Sequence, residues 1–292
     1  MRGGEAAFWN PADAGGQFHL TIKPSSSEGG NKKSNIVRIT FLGTGTSCGV
    51  PFIGCHCAVC ESKDSRDKRL RTSLLVEDGD TNILLDCGPD FREQMLRCGF
   101  EGELSGLFIS HEHYDHVGGI DDLRPFSHRR DVVLYADSYA AHHLRQRLPY
   151  CLVDNHYPGM PLLVLREMES HETVCCGSLS VTAIRVMHGQ LPILGFRVGK
   201  MCYITDMTEI AESEFDLFEG IELLVINALR ATPHPTHQTL QQALGFRQRL
   251  GLERVPTYFV HMSHDIGLHA AVDATLPAHC HLAYDGLVVE LG

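Results

Sequence analysis

The residues best suited to chemistry lie in one short segment of the chain. Between His111 and His116, three histidines and one aspartate fall within six residues, directly after a predicted strand, and two glycines follow. Imidazole and carboxylate groups are ligands that suit zinc. His113 can aim with His111 at one metal ion, and Asp115 with His116 can reach a second ion beside it. The alternative is a polar surface loop with a chance cluster, which the compact pattern at a strand end disfavours.

Two neighbouring metal ions are typical of hydrolytic sites. Ions about 3.5–4 Å apart can share a hydroxide and hold the oxygen atoms of a substrate. Zinc lowers the pKa of its bound water to about 7, so hydroxide forms at neutral pH. For a phosphodiester, this hydroxide would attack phosphorus in line, and another group would protonate the leaving alkoxide. The segment therefore predicts a two-metal hydrolase, with zinc as the expected metal.

His237 is the candidate for the acid that protonates the leaving group. It lies in the run His234-Pro235-Thr236-His237, at the start of a helix predicted for Thr236–Leu250 with Thr236 as the N-cap. No capping box is predicted, because Thr239 stands where Glu or Gln is needed. Backbone N–H groups there could meet a phosphate. The helix N-terminus disfavours imidazolium, so a nearby anion would have to restore it. The alternative is a loop histidine at a cap.

Alternating strands and helices must position these groups. Residues 1–35 are rich in Gly and Ser without a sustained period, which predicts a flexible leader. Residues 36–292 predict one α/β domain with sheets inside and helices outside. Strands are predicted at Ile36–Leu42, Ser73–Glu77, Asn82–Asp86, Gly106–Ser110, Val132–Ala136, Leu179–Val186, Leu194–Val198, Met201–Thr205, Glu222–Asn227, Thr257–His261, His281–Tyr284 and Leu287–Leu291. Helices are predicted at Asp90–Cys98, Ser138–Arg147, Thr208–Phe218, Thr236–Leu250 and Leu268–Ala274.

Composition and charge narrow the classes of partner. The 292 residues carry 25 Lys and Arg against 36 Asp and Glu, a net charge of -11. This balance disfavours a nucleic-acid binder, which needs a basic surface, but it allows a small phosphodiester held by metal ions. No apolar run is long enough to span a bilayer, and no secretory signal is visible. We therefore expect a cytoplasmic protein with a small-molecule substrate and no membrane contact.

A second group of metal-binding side chains lies near the start of the domain. Cys55, Cys57 and Cys60 follow the pattern Cys-x-Cys-x-x-Cys. In a chain with 11 cysteines and no export signal, reduced thiols at this spacing predict a structural zinc ion that lacks one ligand. The alternative is a loop whose cysteines bind no metal. The fourth ligand cannot be derived from the local sequence.

The pattern His-x-His-x-Asp-His resembles the sequence motif of the metallo-β-lactamase superfamily. The resemblance implies an αββα sandwich of two mixed β-sheets with helices on the outer faces. It also implies three further ligands at strand ends: His188 for the first metal, Asp206 as the bridging carboxylate, and His261 for the second metal. Taken alone, each of these would more often be a capping Asp or a core His.

Two other positions bear on this resemblance. Asp86 ends a predicted strand before a Cys-Gly pair, and in such sites that position implies a supporting or structural group. His113 stands where the iron-containing redox members of the superfamily carry Glu. The histidine therefore favours a hydrolytic zinc site, and it leaves Mn²⁺ open as the alternative metal.

A closer resemblance covers Ile39 to the C-terminus. The run Leu42–Pro51, the cysteine triplet, His261-Met262-Ser263-His264 and Tyr284-Asp285-Gly286 are similar to the PhnP-type phosphodiesterases. Those enzymes act on phosphoribosyl 1,2-cyclic phosphate. The resemblance implies that His264 completes the structural zinc site, that His237 and Asp115 are catalytic, and that the protein is a homodimer. Gly119–Phe126 is more similar to relatives with unassigned substrates.

The predicted function is hydrolysis of a small cyclic or linear phosphodiester. A tRNA 3′-end nuclease, a lactonase and a thioesterase could use the same metals. A tRNA nuclease would need a basic exosite, and Arg66–Arg71 is the only marked basic run, more typical of a solvated face. The sequence also allows a non-catalytic metal-binding protein or a redox protein containing iron.

Overall fold

Two β-sheets packed face to face form the frame of the molecule. The computed structural model describes residues 19–21, 36–127, 130–152 and 163–292. The strands are β1 His19–Thr21, β2 Val37–Gly43, β3 Ser73–Asp78, β4 Thr81–Leu85, β5 Gly106–Phe108, β6 Val132–Ala136, β7 Leu163–Glu167, β8 Thr173–Cys176, β9 Leu179–His188, β10 Leu191–Val198, β11 Met201–Ile204, β12 Leu223–Asn227, β13 Thr257–Val260, β14 Cys280–Leu282 and β15 Val288–Leu291.

Short helices cover the two sheets. The α-helices are α1 Phe91–Cys98, α2 Tyr114–Val117, α3 Arg124–Ser127, α4 Ser138–Arg147, α5 Pro149–Leu152, α6 Leu240–Arg249 and α7 His269–Asp273. Segments of 3-10 helix lie at Ser65–Asp67, Ile120–Leu123, Glu212–Phe218 and His264–Ile266. Within these described ranges, every helix is too short or too polar to cross a membrane.

Both sheets mix parallel and antiparallel pairs. The first follows the order β1-β15-β2-β3-β4-β5-β6-β7, and the second follows β14-β13-β12-β11-β10-β9-β8. Their facing sides are apolar, and Phe41, Phe108, Phe196 and Tyr203 are among the residues buried between them. Two further apolar clusters lie between the outer faces and the helices. This layering confirms the predicted αββα sandwich.

The carboxyl ends of strands from both sheets meet at one edge of the sandwich. β4 and β5 are parallel in the first sheet, and β11, β12 and β13 are parallel in the second. Carboxyl ends of parallel strands lie at the same edge, where ligands commonly bind. The sheets are also joined there, because the N–H of Leu194 donates to the carbonyl of Ser110 at 3.0 Å. The edge therefore collects the loops that carry the predicted ligands.

Helix α6 begins later than the sequence predicts. Its N-cap is Thr239, and Thr239 and Gln242 form a reciprocal capping box, so the prediction of a Thr236 cap without a capping box is wrong. The carbonyl of Thr236 instead accepts from Nδ1 of His188 at 2.8 Å. That contact, together with a 2.9 Å bond from the N–H of Leu229 to the carbonyl of Gln238, holds the preceding residues in a loop.

The helix predicted for Thr208–Phe218 is wrong in its first part. The hydroxyl of Thr208 donates to the carbonyl of Met187 at 2.7 Å. Glu209 pairs with Met187 in an isolated β-bridge. These contacts keep the chain extended, and it coils as a 3-10 helix only from Glu212.

Three strands lie outside the predicted set. β7 and β8 are edge strands of the two sheets and are partly exposed, so their sequences lack the apolar alternation of a half-buried strand. β1 falls within the leader predicted for residues 1–35 and pairs in parallel with β15. The rest of that leader lies outside the described residues.

Candidate metal centre

Three histidines from two strand ends form a first cluster, here called the histidine group. His111 and His113 follow β5, and His188 is the last residue of β9. Nε2 of His111 lies 2.9 Å from Nδ1 of His113. One ring nitrogen from each of the three lies within 4.8 Å of the others. This spacing could hold one metal ion with three imidazole ligands.

Four buried side chains form the carboxylate group beside it: Asp115, His116, Asp206 and His261. Nε2 of His116 lies 3.2 Å from an oxygen of each carboxylate. Nε2 of His261 lies 3.3 Å from Asp115 and 3.2 Å from Asp206. Ligand atoms at about 2.0–2.1 Å from a tetrahedral zinc ion lie about 3.3 Å apart. The carboxylate group therefore has the dimensions of a zinc site.

The two groups are neighbours, and Asp206 lies between them. The ring centroids of His111 and His116 are 4.4 Å apart. Asp206 is within ligand range of His188 in the histidine group and of His116 and His261 in the carboxylate group. The structure thus brings all seven predicted ligands together and places Asp206 where a bridging carboxylate is expected.

The carboxylate group has the chemistry of a cation site. Among the described residues, the buried Nε2 of His116 contacts the two carboxylates but has no partner in hydrogen-bond geometry, which is costly unless another group satisfies it. Burial lowers the pKa of His116, but Asp115, Asp206 and Asp86 outweigh it and raise that pKa well above its usual value. Burial opposes ionisation of Asp206, yet His261 and His116 hold its pKa well below the usual range. The cluster therefore concentrates negative charge where a cation would be stabilised.

Unusual backbone conformations turn three side chains into this centre. Asp86, Asp206 and His261 have φ values of 60°, 55° and 56°, and they are three of the five non-glycine residues with positive φ in the described chain. Each follows a strand. The left-handed conformation is uncommon for such residues and is found at functional sites whose surroundings enforce it. Here it reverses the chain directly after the strand.

Asp86 holds one ligand from each side of the centre. Its Oδ1 accepts from the N–H of Ser110 at 2.8 Å, and its Oδ2 contacts the hydroxyls of Ser110 and Tyr203 and Nδ1 of His116 at 2.9–3.0 Å. The Ser110 hydroxyl also lies 3.0 Å from Nδ1 of His111. Carboxylates that bind the second ring nitrogen of a histidine fix its tautomer and orientation. The supporting role predicted for Asp86 has this geometry.

The Asp86→Asn substitution is expected to weaken zinc binding by about 10- to 100-fold and to lower the unfolding midpoint. The amide of Asn has one acceptor oxygen, so it cannot satisfy all the donors that converge on Asp86. Zinc competition with a chelator and thermal unfolding measure the two effects. Tyr203→Phe is the control, because it removes one donor and should weaken binding less. Wild-type affinity in Asp86→Asn would show that the carboxylate does not orient His116.

Gly88 allows the ligand-bearing loop to lie against the preceding turn. A Cβ atom at this position would lie 2.1 Å from the carbonyl oxygen of Asp115. Gly88→Ala is therefore expected to displace Asp115, reducing bound zinc and the unfolding midpoint. Gly245→Ala in α6 is the control: its Cβ would meet nothing within 4 Å, and it should stabilise the protein by about 0.5–1 kcal/mol. Full zinc content in Gly88→Ala would contradict this account.

His237 lies beside both groups of the centre. Its ring centroid is 4.7 Å from that of His188 and 5.0 Å from that of His261. Its Nδ1 lies 3.5 Å from Asp206 and is buried, with no hydrogen-bond partner in the part of the chain that the structure describes. Burial lowers the pKa of His237 to about 3. The ligand atoms of His237, Asp206 and His188 are also close enough to share a metal ion. The ring could therefore either donate a proton or coordinate a metal.

The loop around His237 differs from the predicted helix start. Because α6 begins at Leu240, His237 lies before the N-cap, and the expectation that first-turn N–H groups accompany it is wrong. Nδ1 of His234 lies 3.3 Å from the N–H and hydroxyl of Thr236, so that nitrogen accepts and is occupied within the loop. His234 thus has a structural contact that His237 lacks.

The predicted structural site is also assembled. Nδ1 of His264 lies 3.3, 3.4 and 3.5 Å from the sulfur atoms of Cys55, Cys57 and Cys60. Tetrahedral zinc with one nitrogen and three sulfur ligands gives N to S separations of about 3.6 Å. A hydrogen bond from the backbone N–H of Cys60 makes the largest contribution to lowering the pKa of Cys57 to about 6, and a hydrogen bond with His264 makes the next largest. These four residues, here called the cysteine group, could hold a metal ion.

Three supporting residues were not singled out from the sequence. The hydroxyls of Ser110 and Tyr203 contact Asp86, and the hydroxyl of Thr205 donates to Oδ2 of Asp206 at 2.5 Å. A lone Ser, Thr or Tyr carries no spacing signal. Ser110 and Thr205 each directly precede a ligand, and that adjacency is the one signal that could have found them.

Comparisons with known proteins agree with this geometry. A family model described as a beta-lactamase superfamily domain matches residues 81–262. A crystal structure described as a new diphosphatase from the PhnP family is 36% identical with a TM-score of 0.80, covering 88% of this chain and 97% of that one. The folds and the metal-binding side chains thus point to the same superfamily.

Two curated relatives are longer than this chain. An octanoyltransferase from Porphyromonas gingivalis is 44% identical over 253 residues, which are 86% of this chain and 51% of that protein. Ribonuclease BN from Escherichia coli is 28% identical over 167 residues, which are 56% of this chain and 49% of that protein. The matched regions thus span about half the length of each of these relatives.

Proposed function

The chain belongs to the beta-lactamase superfamily, and from that premise we propose that it is a metal-dependent phosphodiesterase acting on a small cyclic or linear diester. The observation that carries the proposal is the convergence of seven side chains from separate strand ends on two adjacent ligand groups. The likeness to a PhnP-family diphosphatase supports chemistry at phosphorus, because that relative is named for cleavage of a phosphate anhydride.

The proposed metal ligands fall into the histidine group and the carboxylate group. The histidine group would hold one divalent cation, the carboxylate group the other, and Asp206 would contact both. We expect zinc in both positions, with Mn²⁺ as the alternative, and a third zinc ion in the cysteine group. Bound there, the two cations would supply the Lewis acidity that activates water and neutralises phosphate oxygens.

The chain's own residues then account for protons and orientation. Asp86 fixes the ring of His116, and Thr236 fixes His188 through its carbonyl. His237 is the proposed donor of a proton to the leaving oxygen, because its Nδ1 faces the centre unpaired. Its lowered pKa keeps the ring neutral in the free protein. An anionic substrate beside it would raise that pKa, so the ring would take up a proton from solvent when the diester binds.

Octanoyl transfer is not carried over to this chain. The relative with that name is about twice as long as its matched region, and the name describes the whole protein. Transfer of an acyl group to an acceptor requires that water be kept from the acyl donor. A centre whose residues are arranged to activate water favours hydrolysis instead, so a thioesterase is the acyl-group alternative to be tested.

A tRNA nuclease is the second candidate, favoured by the similarity to ribonuclease BN. The net charge of -11 argues against it, because RNA binding draws its affinity largely from basic surface. We therefore propose the small diester as the substrate. The cytoplasmic location and the homodimer stay predictions.

A turnover screen of the zinc-loaded protein tests the proposed function. The substrates are bis-p-nitrophenyl phosphate, a ribose cyclic phosphodiester, a nucleoside diphosphate ester, a precursor tRNA, an octanoyl thioester and a lactone. We expect turnover of the small diesters and loss of it on chelation. Faster turnover of the thioester, the lactone or the precursor tRNA would overturn the proposed substrate class. No turnover of any of the six substrates would overturn the proposal that the protein is an enzyme.

A further inference from the structure

One arginine organises the loop that carries His237. Nε of Arg230 donates to the carbonyl of Thr232 at 3.2 Å, and Nη2 donates to the carbonyl of Pro233 at 2.9 Å. The carbonyl of Arg230 accepts from the N–H of Leu240 at 3.0 Å, where α6 begins. Arg230 therefore binds the first part of the loop, at residues 232 and 233, with its side chain, and the end of the loop, at Leu240, with its backbone carbonyl.

Within the described residues, the other contacts of this loop lie at its second half, where His234 contacts Thr236 and the amide of Gln238 donates to the carbonyl of Thr208. The carbonyl of Thr236 accepts from His188, and the carbonyl of Gln238 accepts from Leu229. Prolines at 233 and 235 lack N–H groups, so these positions cannot tie the backbone by donation. The guanidinium, with five donors in a rigid fork, is suited to collecting neighbouring carbonyls. Removing it would leave the arm from 231 to 235 with little to fix its path.

We propose that Arg230 is a positioning residue for His237. It does not touch the centre; it sets the course of the loop, and the loop places the His237 ring between His188 and His261. This inference rests on the proposed function, in which His237 protonates the leaving oxygen. Displacement of a catalytic group by about 1 Å can cost about a hundredfold in rate, so modest loosening of the loop would be visible.

Residues next to the cysteine group contact the start of this loop, at Leu229 and Arg230. Ser263 and Asp265 flank His264. The N–H and hydroxyl of Ser263 donate to the carbonyl of Leu229 at 2.9 and 3.1 Å, and Asp265 lies 3.7 Å from Nη1 of Arg230. Asp265 is half exposed, so that ion pair contributes little. The backbone bonds of Ser263 are the firmer link between the cysteine group and the base of the loop.

Leaving-group dependence separates positioning of His237 from general damage. Bis-p-nitrophenyl phosphate expels a stable phenolate that needs no proton, whereas a dialkyl-type diester expels an alkoxide that does. In Arg230→Ala we expect kcat for the alkyl diester to fall on the order of 10- to 100-fold, with little change for the aryl diester. Arg230→Lys should recover part of the loss, because an ammonium can bind one of the carbonyls. Arg97→Ala, which breaks an exposed pair on α1, is the control.

Two further readouts make the result independent of activity alone. Hydrogen exchange of the segment 231–239 should quicken in Arg230→Ala and not in Arg97→Ala, with zinc content unchanged in both. Combined with His237→Ala, Arg230→Ala should cause no additional loss, because both act through one group. Equal loss on both substrates, unchanged exchange, or a full additive loss would overturn the inference. Absence of diester turnover in the wild type would instead overturn the proposed function, and the exchange result would still report on the loop.

Discussion

Replacing Asp206 with alanine is expected to lower kcat for diester hydrolysis by more than about a hundredfold, because loss of a residue that only orients a ligand already costs about 10- to 100-fold. Asp206 is itself in ligand range of both groups. Its two oxygens lie 3.2 Å from His116 and 3.2 Å from His261. Without that carboxylate, the buried histidines lose a charge partner and the cations lose a shared ligand. Turnover and zinc content per chain are the measurements.

The cysteine group is an internal reference for the Asp206→Ala protein. Its zinc should stay bound while the other zinc is lost, so a partial zinc content would distinguish local damage from unfolding. Asp216→Ala is the matched control, since Asp216 is exposed on the 3-10 helix Glu212–Phe218 and should leave both measurements unchanged. Full zinc content and unchanged turnover in Asp206→Ala would remove the basis of the proposed function.

The local motif and the distant ligands were predictable for different reasons. His111 to His116 are close in sequence, so ligand chemistry and spacing alone predicted two metal positions. His188, Asp206 and His261 are separated by long stretches, and residue type gave no reason to bring them together. Their placement at strand ends came from the superfamily resemblance. In the structure, each of them lies within ligand range of residues of the His111–His116 segment.

Local backbone detail was harder to predict where a tertiary contact competes with local preference. Thr236 and Thr239 are both acceptable N-caps, but only Thr239 has Gln three residues later, so the capping-box pattern in the sequence favours Thr239. The carbonyl of Thr236 binds His188, which leaves Thr239 to begin the helix. The same applies to Thr208, whose hydroxyl binds Met187 and delays the next helix. A contact between residues far apart in sequence thus delays the helix after Thr208, and at α6 such a contact acts together with the local capping box.

The positive φ values show a related limit. Asp and His tolerate the left-handed region better than most residues, but positive φ is still uncommon for both. No composition rule would place both Asp206 and His261 there. The surrounding sheets impose the conformation, and the ligand position that results is its consequence. Sites of this kind depart from local preference because the side-chain direction matters more than the backbone cost.

His237→Ala is expected to lower kcat for a diester with an alkoxide leaving group by about 100-fold or more, in line with the contribution of a positioned general acid. For bis-p-nitrophenyl phosphate the loss should be small, because p-nitrophenolate departs without a proton. The physical reason is geometric: the unpaired Nδ1 of His237 lies 3.5 Å from Asp206, next to where the phosphate would bind. The ratio of kcat for the two substrates is the measurement.

The result also decides between the two roles that the position of His237 allows. If His237 is a proton donor, its removal should leave the zinc content unchanged and lower kcat only for the diester with the alkoxide leaving group. A metal ligand, which the spacing with His188 and Asp206 permits, would lower zinc content and reduce both substrates alike. His142→Ala is the matched control, since His142 is exposed on α4 and its ring contacts Gln146, away from the loop that carries His237. Equal loss on both diesters in His237→Ala would therefore assign the ring to the metal and leave the leaving oxygen to be protonated by water.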